Sequence, residues 1–164
     1  MFDLARFRAA QDSPDDGFAQ ALRELRAGHK TSHWIWYVFP QLAALGRSSM
    51  AQHYGLAGID EARAYLAEPV LADRLLQATA AVRAHLAPRA GRPARLEHVM
   101  GSHIDALKLV SSMTLFAEVA RRLDGARPEL ARLADHADAI LAEARAQGFD
   151  RCPVTLAHLA GEPR

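Results

Sequence analysis

The sequence predicts an all-α protein, a single irregular helical bundle spanning residues 1–164 around a buried central helix at about 104–123. Three observations indicate this fold. Apolar residues recur every three or four positions along most of the chain, and no stretch of useful length alternates apolar with polar residues. In the segment at 104–123 the apolar residues point almost all round, which is typical of a helix enclosed by others.

The first predicted helix follows the polar stretch at 13–16. Ser13 is its expected N-cap and Pro14 its first-turn residue, and Gly28 is expected to end it. The apolar positions between them have helical spacing and are Phe18, Ala21, Leu22 and Leu25.

Residues 34–39 are rich in aromatic and β-branched side chains, a composition that would also suit a buried strand. We predict a short helix here, because Ser32 can cap it, Pro40 can end it and the chain offers no partner strand. Ser48 is interpreted as the cap of a further helix rather than as a ligand contact.

The second half of the chain predicts longer helices. A short one begins at Asp60, and another begins at Pro69 and is broken by the stretch at 88–93, which is rich in proline and arginine and contains a glycine. The clearest amphipathic helix follows Pro128 and ends at Gly148. Its apolar stripe consists of Leu130, Leu133, Ala134, Ala137, Ile140, Leu141 and Ala144.

Composition and charge exclude several classes of protein. A net charge of +1 is too small for affinity based on nucleic-acid phosphates. Cys152 is the only cysteine, which excludes an intrachain disulfide and zinc sites built from several thiolates. We expect this thiol to be inert. No stretch approaches the ~18 apolar residues of a membrane span, and charged residues interrupt the N-terminal apolar positions. We therefore predict a cytoplasmic protein that binds neither nucleic acid nor membranes.

Lysine usage points to a candidate site. The chain has only two lysines, Lys30 and Lys108, against eighteen arginines, and each lies in a dense cluster of polar and aromatic residues. A compact ammonium on a thin stem offers what a guanidinium does not, so these two positions are the ones at which we expect a site.

Lys108 belongs to the predicted central helix. Asp105, Lys108 and Ser112 are spaced i, i+3 and i+7 and therefore share one face, with Ser111 beside them. In one interpretation Asp105 pairs with Lys108 and the serines bond to the helix backbone, giving a purely structural network. In the other, Lys108, Ser111 and Ser112 face a cleft and bind an anionic group.

Lys30 precedes the aromatic run, where it could attract an anion together with free backbone N–H groups; alternatively it is a solvated loop charge. Most of the aromatic residues are expected in the core, but Trp36 is predicted to line a cleft and stack on a ring. Gln41 and Tyr54 are predicted to add an amide and a hydroxyl to the same site.

His33 is the candidate general acid or base, with Asp105 orienting or activating a group. A packed, hydrogen-bonded histidine is the alternative for this position. His29 and His33 are spaced i and i+4, but no third ligand is nearby, so no metal site is predicted.

Several of these residues also carry a resemblance to a known family. They are Lys30, the run His33-Trp34-Ile35-Trp36-Tyr37-Val38-Phe39-Pro40-Gln41, the segments at 46–49, 61–62, 65–66 and 111–116, and Tyr54, Asp105 and Lys108. On these residues the chain, from about 15 to 150, resembles the small, mainly bacterial family catalogued as domain of unknown function 1810 and loosely labelled calpastatin-like.

The resemblance implies an all-α single domain and carries no established activity or cofactor, and we predict no cofactor. The chain is too apolar to be a disordered inhibitor of the calpastatin kind. One departure from the expected pattern is Gly101-Ser102-His103-Ile104, where the family is expected to have a charged or proline-containing turn.

Three functional hypotheses follow. The leading one is a protein that binds a small anionic or nucleotide-like ligand in a cleft between the segment at 30–41 and the helix at 105–116. The second is an enzyme that uses His33 and Asp105. The third is a structural or partner-binding module without a ligand, which an exposed apolar patch would indicate. No oligomeric state is predicted.

Overall fold

Helix α8 (His103–Leu123) lies at the centre of the fold in the computed structural model, which describes residues 1–87, 92–123 and 127–161. It packs most extensively against α9 (Pro128–Ala146), which in turn packs against α6 (Pro69–Leu86). Buried side chains occupy most of the circumference of α8, as its apolar pattern predicts, and the predicted buried central helix is confirmed.

The remaining helices surround this centre. They are α1 (Ala5–Gln11), α2 (Phe18–Ala27), α3 (Ile35–Val38), α4 (Ser49–Tyr54), α5 (Ile59–Ala67), α7 (Leu96–Met100) and α10 (Pro153–Ala160), with a 3-10 helix at Ala43–Leu45. The described residues contain no strand, only an isolated bridge between Leu42 and Leu56. The all-α prediction is therefore confirmed. Nor does any helix in these parts of the chain have the length and apolar character needed to cross a bilayer.

The predicted start of α2 is wrong. Gly17, and not Ser13, occupies the N-cap position. The Ser13 hydroxyl instead bonds within its own turn, donating to the Asp15 carbonyl at 2.8 Å. Asp16 has a left-handed φ of +53°, so the chain turns here and a helix cannot run through this residue.

The segment at 34–39 contains a helix, as predicted, but it is only one turn long and lacks a side-chain cap. Ser32, its predicted cap, bonds to Glu24 of α2 instead. Ser48 does cap α4, accepting a hydrogen bond from the Ala51 N–H at 3.1 Å. Most of the predicted loop at 88–93 lies outside the described residues.

Three helices and one turn place the candidate residues. The turn between α2 and α3 carries Lys30, α3 carries Trp36, α4 carries Tyr54, and the first turns of α8 carry Asp105 and Lys108. Both α3 and α4 lie against the core through buried side chains, on α3 that of residue 35 and on α4 that of residue 51. These short elements are thereby fixed beside α8.

Candidate functional site

Asp105 joins the two lysines. Its Oδ2 lies 2.8 Å from the Lys30 ammonium, and its Oδ1 lies 3.9 Å from the Lys108 ammonium. The two ammonium groups come from segments far apart in the sequence, and one carboxylate brings them together. Two ammonium groups and one carboxylate leave this triad with a net charge of +1.

Lys30 is the buried member of the triad, with a side chain that is 6% exposed. Besides pairing with Asp105, its ammonium donates to the Ser32 carbonyl and lies 5.0 Å from the centre of the Trp34 ring. Each of these contacts compensates for lost hydration. The geometry does not favour Lys30 as a direct ligand contact, and the solvated-loop interpretation is wrong for it.

Lys108 is the accessible member, with a side chain that is 22% exposed. Its ammonium lies 5.1 Å from the centre of the Trp36 ring, within the range of a cation–π interaction. Its distance of 3.9 Å from Asp105 is longer than a hydrogen bond. Lys108 can therefore bind a further anionic partner more readily than Lys30 can.

Glu24, at the end of α2, holds the Lys30 turn. Its carboxylate accepts hydrogen bonds from the backbone N–H of Thr31 at 2.7 Å and of Ser32 at 2.9 Å, and from the Trp34 indole at 3.0 Å. The side chains of Ser32 and Gln20 also donate to it. Burial raises the pKa of Glu24, but these hydrogen bonds outweigh burial and lower it from 4.5 to about 2.

Gly101 begins the segment at 101–104, in which the sequence departs from the expected family pattern. Its φ of +82° is left-handed, and a Cβ there would lie 2.5 Å from the Lys30 carbonyl oxygen. The Lys30 N–H donates to the Val99 carbonyl at 2.8 Å, so the two segments run side by side at this point. Glycine is thus required both by the backbone conformation and by the close approach of the Lys30 turn.

We therefore expect Gly101→Ala to lower the free energy of unfolding by about 1–3 kcal/mol, the cost of a left-handed alanine plus displacement of the Lys30 turn. Urea denaturation measures it. Gly148→Ala is the matched control, because Gly148 has a φ of +97° but no neighbouring atom within 4 Å of the place that a Cβ would take. If Gly101→Ala lowered the free energy of unfolding no more than Gly148→Ala does, the close approach of the Lys30 turn to residue 101 would be contradicted.

A groove lies between α3, α4 and α8. We call it the Trp36–Lys108 groove, and its lining residues are Ile35, Trp36, Phe39, Gln41, Ala51, Tyr54, Gly55 and Lys108. Its cavity volume is about 10 Å³, room for about one water molecule and far smaller than a typical metabolite pocket. Four of the predicted ligand-binding residues, Trp36, Gln41, Tyr54 and Lys108, are therefore brought together.

Most polar side chains that line this groove have no hydrogen-bond partner within the described residues. The indole N–H of Trp36 is buried and has no hydrogen-bond partner among the described residues. Gln41 uses its backbone carbonyl to accept from the Leu56 N–H at 2.9 Å. The ring of Tyr54 packs against the ring of Tyr37, and the two ring centres are 5.1 Å apart. An unpaired buried N–H costs free energy, so a hydrogen-bond acceptor that reached the Trp36 N–H would be stabilised there.

The two serines lie outside the lining of this groove. Ser111 donates to the Leu107 carbonyl one turn earlier, at 3.1 Å, which is the backbone bonding of the structural interpretation. Ser112 is wholly buried, and its hydroxyl has no partner within the described ranges. Their roles as ligand contacts stay predictions that the geometry does not favour.

His33 is exposed, and its backbone carbonyl accepts a hydrogen bond from the Tyr37 hydroxyl. Within residues 1–87, 92–123 and 127–161, no hydrogen bond or ion pair joins it to Asp105, whose carboxylate contacts both lysines. His29, which is spaced i and i+4 with His33, packs against His98, and the centres of the two rings are 4.6 Å apart. The catalytic roles of His33 and Asp105 stay predictions without geometric support.

The third hypothesis requires an exposed apolar patch. Large apolar side chains are exposed at Ile104 and Leu107 on α8 and at Val154 and Leu156 on α10. Scattered exposed apolar residues are normal on soluble proteins, so partner binding stays a prediction.

Sequence reasoning missed Glu24, although the sequence contained a signal. An acidic residue in the last turn of a helix opposes the helix dipole, which is unfavourable unless another interaction compensates. Glu24 lies three residues before the end of α2 and four before Gly28. That position could have indicated a carboxylate with partners in the following turn.

Comparison with known proteins gives a family model and a solved structure. The family model, described as a protein of unknown function (DUF1810), matches residues 1–140. The crystal structure of the conserved hypothetical protein Rv1873 from Mycobacterium tuberculosis is similar over 98% of this chain and 99% of that chain, with 38% sequence identity and a TM-score of 0.76. A search of the curated proteins found no match. Neither description names an activity or a ligand.

Proposed function

The chain belongs to the DUF1810 family of proteins of unknown function, and for this member we propose that the Trp36–Lys108 groove binds a small anionic ligand. The observation that carries the proposal is that two residues with hydrogen-bond donors line one groove: Lys108, whose side chain is partly exposed, and Trp36, whose buried indole N–H has no partner within the described part of the chain. Both groups donate hydrogen bonds, and their natural partner is an acceptor with negative charge.

The charge of the site supports an anion rather than a cation. Asp105 is the carboxylate nearest to Lys108 in the ion pairs of the described residues, and Lys30 contacts it more closely than Lys108 does. Lys30 thereby neutralises Asp105 and leaves the Lys108 charge available. In this proposal Lys30 positions the site, while Lys108 and the Trp36 N–H contact the ligand.

The size of the groove supports a ligand of which only one small group enters. The cavity of about 10 Å³ has room for one oxygen atom of a carboxylate or a phosphate rather than for a whole nucleotide. The remainder of a larger ligand, such as the ring of a nucleotide, would lie across the mouth beside Trp36, with Gln41 and Tyr54 offering an amide and a hydroxyl. A phosphate- or carboxylate-bearing metabolite is therefore the expected class.

Lys108→Met is expected to abolish most of the stabilisation that a ligand provides. A ligand at about 100 times its Kd stabilises the folded protein by about 2.7 kcal/mol, which raises the Tm of a chain of this length by about 5–10 °C. Loss of one charge-assisted hydrogen bond, about 2 kcal/mol, would reduce that rise to about 2–3 °C. A thermal-shift screen of phosphorylated and carboxylated metabolites measures both values.

Arg132→Met is the matched control, since it removes a positive charge from an exposed position on α9. Its ligand-induced rise in Tm should equal that of the wild type. Equal responses of the Lys108→Met variant and the wild type to every stabilising compound would contradict the proposed site. If the Lys108→Met variant failed to fold, Lys108 would belong to the structural network instead.

A further inference from the structure

Cys152 lies at a junction between two helices. It is the N-cap residue of α10, and its backbone N–H donates to the Thr114 hydroxyl of α8 at 3.3 Å. The residue is partly exposed. Cysteines at helix N-termini with partial exposure are the ones that tend to be reactive, because the first N–H groups of the helix stabilise the thiolate.

The hydroxyl groups of Ser111 and Thr155 both interact with the thiol, and they differ in their hydrogen bonds to other groups. Ser111 already donates its proton to the Leu107 carbonyl. Thr155, the third residue of α10, is wholly buried, and its hydroxyl has no hydrogen-bond partner within the described part of the chain. Thr155 therefore holds a proton that can be donated to the sulfur or to an atom bound to the sulfur.

The ionisation of the thiol agrees with this arrangement. Burial raises the pKa of Cys152, but interactions with the side chain and backbone of Thr155, the hydroxyl of Ser111 and the backbone of Val154 outweigh burial and lower the pKa below 9.0. A larger thiolate fraction near neutral pH follows, and the thiolate is the form that attacks electrophiles. The expectation that this cysteine is inert is therefore not favoured by its surroundings.

We propose that Cys152 is a site of reversible oxidation by peroxides, in which the buried Thr155 hydroxyl stabilises the oxygen added to the sulfur. The thiolate attacks one peroxide oxygen, the O–O bond breaks, and sulfenic acid forms while hydroxide or alkoxide leaves. Cys152 is the only cysteine of the sequence, so a small-molecule thiol then displaces water from the sulfenic acid and forms a mixed disulfide.

The test compares the native and the urea-unfolded protein. Iodoacetamide alkylation followed by intact mass across a pH series should show a lower midpoint and a several-fold faster reaction at pH 7 for the native protein. Hydrogen peroxide with dimedone should give a single dimedone adduct on native Cys152. Native alkylation no faster than in the unfolded chain, or no adduct, would overturn the proposal.

Thr155→Val tests the assigned hydroxyl. Replacing an unpartnered buried hydroxyl by a methyl group of similar shape should leave the fold intact, which circular dichroism checks. The alkylation midpoint should rise toward that of the unfolded chain, and the yield of dimedone adduct should fall several-fold. Thr79→Val is the matched control, because the Thr79 hydroxyl is equally buried but donates to the Leu75 carbonyl. Equal midpoints in the Thr155→Val variant and the wild type would exclude a role of Thr155.

Discussion

Asp105→Ala is expected to lower the free energy of unfolding by about 3–5 kcal/mol, because it leaves the ammonium of Lys30 buried without a counter-ion. The Lys30 side chain is 6% exposed, and its other contacts are a carbonyl group and the face of Trp34. Neither neutralises its charge. Urea denaturation at pH 7 measures the loss, and a value of this size would identify Asp105 as the residue that holds the Lys30 turn against α8.

Asp138→Ala provides the comparison. Asp138 of α9 also contacts two cations, Arg121 and Arg151, but its side chain is 40% exposed. Exposed ion pairs contribute little, so we expect a loss of no more than about 1 kcal/mol. If Asp105→Ala and Asp138→Ala lowered the free energy of unfolding by similar amounts, burial of Lys30 would not determine the size of the decrease.

Glu24→Gln is expected to lower the free energy of unfolding by about 2–3 kcal/mol at pH 7. The substitution removes the charge that strengthens the hydrogen bonds from the N–H groups of Thr31 and Ser32 to Oε1. It also puts an NH₂ group in place of Oε2, which cannot accept from the Ser32 hydroxyl or the Gln20 amide. Glu143→Gln is the matched control, since Glu143 also lies in the last turn of a helix but its carboxylate accepts from the side chain of Gln147 rather than from backbone N–H groups. The Glu143→Gln substitution should lower the free energy of unfolding by an amount close to zero.

The same carboxylate gives a pH dependence of known sign. The pKa of Glu24 in the folded protein, about 2, is lower than the ordinary value of 4.5. Its contribution to stability is therefore complete above pH 4.5 and is lost as the pH falls toward 2. The free energies of unfolding of the wild type and the Glu24→Gln variant should converge over this interval. A constant difference across it would contradict the assignment.

Helix periodicity predicted the parts of the fold that depend on a long apolar pattern. The helices at 103–123 and 128–146 bury a continuous face, and that requirement is written in the order of their residues. The start of α2 was mispredicted because a polar residue before an apolar run resembles a cap even where the chain turns too tightly. The local backbone, here the left-handed conformation of Asp16, determined the outcome.

The candidate site was predictable to a similar extent. Residue chemistry indicated Trp36, Gln41, Tyr54 and Lys108, which line one groove. The different environments of Lys30 and Lys108 could not be predicted, because burial depends on how the turn at 28–34 folds onto α2. That turn is held by Glu24, and two of the groups that bind its carboxylate are backbone N–H groups, which every residue except proline has.

The most direct test of the central claim is the indole N–H resonance of Trp36. The chain has two tryptophans, so a ¹⁵N-labelled sample gives two indole signals, and Trp36→Phe assigns them. Titration with a stabilising phosphate or carboxylate compound should shift the Trp36 signal, whereas the Trp34 signal, from an indole already bonded to Glu24, should stay in place. Binding that leaves the Trp36 signal unmoved would contradict the proposal that this groove holds the ligand.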